Sequence, residues 1–161
     1  MAGMGDPSSS DIPTAIKLIV SDPNDGWWFR GVLDAFAYLE SEFGFRLDEV
    51  HQHFQGNFVR YESPAFDLVI EHDPDDTGHV GAELWVHPDL KPPVEHPRTF
   101  AVNDLLRSRD PDRKLPDLRR GGYSQDEALD ALATWATGLR DLAPDVLRGA
   151  WPAAVPVRHI W

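Results

Sequence analysis

Cysteine is absent from the 161 residues, and with it every disulfide, thiolate metal site and cysteine nucleophile. No stretch approaches the roughly 18 consecutive apolar residues of a membrane span. Residues 1–11 have neither a basic opening nor an apolar run, so they do not read as a secretory signal. Basic residues are scarce: 15 Lys and Arg stand against 27 Asp and Glu, a formal charge of -12. Phosphate binding needs a basic footprint, so nucleic acid is not an expected partner. The glycine-rich patterns that cradle dinucleotides and phosphates are missing, as are His-Glu-X-X-His and Gly-X-Ser-X-Gly. These absences predict a cytoplasmic protein with no cofactor and no membrane partner.

What is present suffices for a core. Hydrophobic residues make up 42%, near the globular average, on a chain long enough for one domain. Residues 1–25 read as a flexible N-terminal segment, 26–150 as a single domain, and 151–161 as a tail interrupted by Pro152 and Pro156. Within the first segment, Ile16, Leu18, Ile19 and Val20 fit either a short strand or a helical turn.

The spacing predicts a helix over 27–43. Phe29, Val32, Leu33, Phe36, Leu39 and Phe43 form one stripe, Asn24 or Asp25 is placed to cap it, and Gly44 suits a left-handed C-terminal residue. The period then changes to two. Phe45 and Leu47, followed by Glu49, His51 and His53, fit one face of a first strand, with Gln55-Gly56-Asn57 as its turn. Strands follow at 58–62, 66–71 and 80–87, separated by Ser63-Pro64 and by the loop formers of 73–78.

Residues 89–97 are proline-rich loop, and a short helix near Phe100 to Leu106 is capped at Asn103. A second long helix opens at Ser124, where Glu127 completes a capping box. Leu129, Leu132, Trp135, Ala136, Leu139 and Leu142 are its stripe, Pro144 breaks it, and Val146 and Leu147 add a turn. The order α-β-β-β-β-α-α predicts an α+β two-layer sandwich. A four-stranded antiparallel meander carries the helices near 27–43 and 124–142 on one face.

The chemistry-bearing residues fall on the other face. Alternation puts Glu62, Asp67, Glu71 and Glu83 on the solvent side, with Trp85 among them. A desolvated pair of such carboxylates can do acid–base work, although a solvated acidic face is the plainer reading. A tryptophan ringed by charge suits a protein contact, unless the C-terminal tail covers it. His51 and His53 share a strand face and, with Glu71 or Glu83, offer a weak metal alternative; two exposed histidines beside a hairpin is the plainer reading. Phe29, Phe36, Tyr61 and Trp135 are core candidates that could instead line a small-molecule pocket between the layers. Trp27-Trp28 opens the first helix with one ring expected inside and the other toward solvent.

Several runs resemble a known group. They are Tyr38-Leu39-Glu40-Ser41-Glu42-Phe43-Gly44-Phe45, Val59-Arg60-Tyr61-Glu62-Ser63, Leu68-Val69-Ile70-Glu71-His72-Asp73, Val102-Asn103-Asp104-Leu105-Leu106 and Leu147-Arg148-Gly149. Over residues 27–150 they resemble small bacterial α+β proteins of the immunity type, encoded beside toxin genes. The resemblance implies a non-catalytic inhibitor and carries no catalytic residue. The net acidity adds that its partner is a basic protein, steered by charge. On this reading Glu62, Asp67, Glu71, Glu83 and Trp85 are the contact residues. The tail's prolines and residues 1–11 depart from the group.

Overall fold

The computed structural model describes residues 14, 16–53, 56–73, 79–87, 99–118 and 122–150. The tail 151–161, the start of the N-terminal segment, the loop after Asp73, the proline-rich stretch before Thr99 and the Arg119-Arg120 pair lie outside the described residues.

Two layers are present. The helical layer holds α1 (Gly26–Ala35), α2 (Tyr38–Glu42), α3 (Val102–Arg109), α4 (Gln125–Leu142) and the one-turn α5 (Pro144–Leu147). The sheet holds β1 (Arg46–His53), β2 (Gly56–Glu62), β3 (Phe66–Asp73), β4 (His79–Val86) and β5 (Thr99–Ala101), in the order β1-β2-β3-β4-β5 and antiparallel throughout. The α+β class and the meander are as the alternation predicts.

The strand count is not. Phe100, expected in a helix, pairs with Leu84 as the middle of β5, and the helix behind it starts only at Val102. A three-residue strand is too short for periodicity to show; it is fixed by β4, whose edge it covers from Glu83 to Trp85. The expected helix over 27–43 is two. Phe36 closes α1 by donating its N–H to the Val32 carbonyl, and the chain re-enters helix at Tyr38. Neither proline nor glycine marks that break. Residues 16–20 are helical, and Ile19 and Val20 pack against the core, so the packed structure begins ahead of Gly26. Arg30 ties them down by donating to the Val20 carbonyl.

The core forms where the two apolar patterns meet. The sheet contributes Val59, Tyr61, Phe66, Leu68, Ile70, Val80, Ala82, Leu84, Val86 and Phe100. The helices contribute Trp28, Phe29, Val32, Phe36, Leu39, Leu105, Leu132, Trp135 and Leu139. The four rings proposed as pocket lining, Phe29, Phe36, Tyr61 and Trp135, are core side chains no more than 2% exposed. Apolar burial is worth about 25 cal/mol per Å², so this interface is the main stabilising term.

Two sequence signals act as their chemistry requires. Gly44 adopts φ 71°, the left-handed turn between α2 and β1. Ser124 Oγ accepts from the Glu127 amide at 3.1 Å, and Glu127 Oε1 accepts from the Ser124 amide at 3.4 Å. Ser124→Ala is therefore expected to cost about 1 kcal/mol, read as a lower urea midpoint at unchanged slope. An unmoved midpoint would mean that packing alone holds that helix end.

Candidate functional site

One face of the sheet carries the helices; the other carries charge. The register assigns each candidate residue to this open face. Glu62 stands opposite Asp67, Asp67 opposite Trp85, and Val69 between Arg60 and Glu83. Glu71 lies two residues beyond Val69 on the same side, between Phe58 and Gly81. Thus Glu62, Asp67, Glu71, Glu83 and Trp85 share one surface spanning β2, β3 and β4, whose strands lie about 4.8 Å apart.

The first strand departs from its expected register. Leu47 pairs with Tyr61 but Glu49 with Arg60, so Asp48 is an extra residue in a bulge. Alternation is interrupted there. Leu47 and Val50 both pack against the core, while Glu49 and His51 turn to the open face. The bulge puts two carboxylates on one guanidinium: Arg60 Nη2 lies 2.8 Å from Asp48 Oδ2 and 2.8 Å from Glu49 Oε2. Arg46 holds Glu62 at 2.8 Å. Both arginines are thus engaged, and Asp48, Glu49, Glu62, Asp67, Glu71 and Glu83 leave the face acidic.

Trp85 is 39% exposed, against a core in which Trp28 is fully buried. Its Nε1 donates to Glu83 Oε2 at 3.0 Å, which fixes the ring beside the carboxylate. The alternative cover for Trp85, the C-terminal tail, lies outside the described residues.

Among the described residues no group of ligand atoms gathers around His51. Its ring stacks on Phe58, centroids 5.0 Å apart, and β2 separates it from Glu71 by about 10 Å of sheet. His53 ends β1 opposite Gly56. Gly56 and Asn57, expected in the turn, instead begin β2. Among the described residues the convergence of ligand atoms is elsewhere: Glu62, Asp67 and His87 offer three atoms within 4.8 Å of one another. His87 Nε2 is 2.7 Å from Asp67 Oδ1. The β2–β3 turn sets this geometry, since buried Ser63 Oγ bonds both the amide and the carbonyl of Phe66. The His87 amide then donates to the Ala65 carbonyl at 3.0 Å. His87 was placed at a strand end by its spacing, but only the register brings it to Asp67.

A groove of about 200 Å³ lies at the β4 edge beyond the reach of β5, walled by Ala82, Glu83, Asn103, Arg107, Pro116 and Trp135. Asn103 crosses it, donating to the Pro116 carbonyl and accepting from Trp135 Nε1, each at 2.7 Å.

No helix among the described residues is long and apolar enough to cross a membrane. No protein-family model, curated protein or solved structure matches this chain.

Proposed function

We propose that this chain is a non-catalytic binding module of the cytoplasm, whose open sheet face docks on a basic protein in the manner of an immunity inhibitor of a toxin. One observation carries the reading: an exposed tryptophan is held by Glu83 within a face whose carboxylates outnumber its two, already engaged, arginines. Exposed aromatics provide the buried anchor of a docked complex, and surrounding charge of one sign selects the partner and speeds encounter. The test first isolates the partner by affinity capture on the native chain at low salt, then compares its affinity for the native chain with that for the variant carrying Glu71→Lys and Glu83→Lys. An equal charge change on the helical layer, Asp130→Lys with Asp141→Lys, serves as control. Loss confined to the first variant supports the reading; equal loss in both would reduce it to net charge.

The convergence of Glu62, Asp67 and His87 favours a second reading, a divalent-cation site. Two carboxylates and one imidazole suit zinc, the fourth position being left to water or substrate. Chelator-stripped protein is then expected to gain about 2.7 kcal/mol when free zinc exceeds its Kd a hundredfold, seen as a rise in melting temperature. His87→Ala removes that rise. No shift with saturating zinc would leave Asp67 and His87 as a hydrogen-bonded pair and nothing more.

A further inference from the structure

Two covers protect the outer edge of β4, and they do not meet. At one end β5 pairs with Glu83, Leu84 and Trp85 and then turns away into α3. At the other end the Val80 amide donates to the Leu118 carbonyl at 3.4 Å. Gly81 and Ala82 lie in the gap, and there the groove of about 200 Å³ opens. Its rim reaches solvent: Asp117 is exposed, and the Arg107 side chain is 42% exposed. Pockets for drug-sized ligands run to roughly 300–1,000 Å³, so this one has room for a smaller molecule.

The floor of the groove and its rim differ in chemistry. Ala82, Leu115, Leu118 and Trp135 line it with apolar surface. The side-chain polar atoms set among them are already engaged, since Asn103 donates to the Pro116 carbonyl and accepts from Trp135 Nε1. An apolar group of an occupant therefore meets the floor best. The rim is charged. Asn103, Asp104 and Arg107 fall on one side of α3 by helical spacing. Arg107 Nη1 donates to Asp104 Oδ1 at 3.0 Å, and the Nε and Nη2 of Arg107 have no partner among the described residues. One edge of the guanidinium is thus open to a carboxylate, which it can bind through two parallel hydrogen bonds. Glu83, Asp104 and Asp117 line the same groove, so three carboxylates stand against one cation. That balance repels a plain anion, and a plain cation would leave the guanidinium edge unused.

We propose that this groove binds a free α-amino acid with an aliphatic side chain of the size of leucine's. The side chain lies over Ala82 and Leu118, where its apolar surface leaves water. The α-carboxylate accepts from Nε and Nη2 of Arg107, and the α-ammonium donates to the rim carboxylates. Nothing in this depends on the sheet face being a protein-docking surface. Glu83 borders both, and the variant used below leaves it untouched, so the two proposals fail separately.

The probe is L-leucine, titrated into the full-length ¹⁵N-labelled chain. The backbone amides of Gly81 and Ala82 and the Trp135 indole N–H are expected to shift saturably. Two analogues each lack one charge: 3-methylbutylamine has no carboxylate, and 4-methylpentanoate has no ammonium. Each is expected to bind at least about tenfold more weakly than leucine, the loss of one charged hydrogen-bonding group. Arg107→Gln is expected to weaken leucine by a similar factor while leaving the affinity for 3-methylbutylamine unchanged. Absence of any saturable shift up to the solubility of leucine would overturn the proposal. So would equal affinity for leucine and either analogue, because the paired charges would not be what is recognised. Equal weakening of leucine and 3-methylbutylamine by Arg107→Gln would overturn it too, since Arg107 would then only shape the groove. If that variant fails to fold, the comparison of the three probes on the native chain decides.

Discussion

Replacing Glu71 and Glu83 together by lysine is expected to weaken binding of the basic partner by roughly tenfold to a hundredfold at low salt. Two effects combine. The two positions lie on adjacent strands at the centre of the open face, so reversal puts like charge against a basic surface. Juxtaposed like charge costs several kcal/mol at a desolvated interface and little at a wet rim, and each 1.4 kcal/mol is tenfold. The second effect is local. Glu83 accepts the Trp85 indole N–H, so Glu83→Lys also releases the ring that is to act as anchor. Trp85→Ala alone removes the anchor without changing the charge, and the two effects separate by ionic strength. The charge-reversed variant flattens the salt dependence of affinity, because exposed charges are screened beyond about 8 Å at physiological salt. Trp85→Ala lowers affinity at every salt concentration. Affinity measured by calorimetry against sodium chloride checks both, and an unchanged slope in the charge-reversed variant would remove this face from the interface.

The largest effect on stability is expected from Phe36→Ala, a loss of about 3–5 kcal/mol. Phe36 is fully buried at the point where α1 ends, with its ring 6.4 Å from that of Tyr61 on β2. It thus joins helix layer to sheet, where packing on both sides hinders relaxation to fill the void. Residual cavity volume sets the cost of such truncations more than the identity of the lost atoms. Urea denaturation is the measurement, with Leu18→Ala, at a side chain 71% exposed, as the near-neutral control. A loss below about 1 kcal/mol would mean that the layers close over the gap, and the packing described around Tyr61 would be wrong.

The parts of this fold legible in the sequence were those set by near neighbours. The stripes of Phe29, Val32 and Phe36 and of Leu132, Trp135 and Leu139 are read from helical spacing. The Ser124–Glu127 box and the Gly44 turn are read from local hydrogen-bonding and steric rules. The alternation of β2, β3 and β4 placed Glu62, Asp67, Glu71, Glu83 and Trp85 on one face. What was not legible depends on register between strands. The bulge at Asp48 carries no glycine and looks like ordinary alternation until Arg60 is seen across from it. It moved His51 away from Leu47 and broke the first strand's expected single face. His87 meets Asp67 only because the β3–β4 pairing carries on one residue past β4, where the His87 amide donates to the Ala65 carbonyl. Asn57 was read as a turn former, since nothing local distinguishes a turn asparagine from one buried in a strand.

The strand order has a consequence for how the chain assembles. Every sheet neighbour is also a sequence neighbour, so no strand must be inserted between two already in place. The β1–β2 and β2–β3 connections are tight, and closing such short loops carries little entropy cost. The far-reaching closures lie in the helical layer, where the Tyr38 hydroxyl donates to the Ala136 carbonyl 98 positions along the chain. A nascent chain emerging in order can build the meander hairpin by hairpin with only α1 and α2 at hand to cover its apolar side. The rest of that side stays uncovered until α4 is complete, which makes the last fifth of the domain the part on which full protection from aggregation depends.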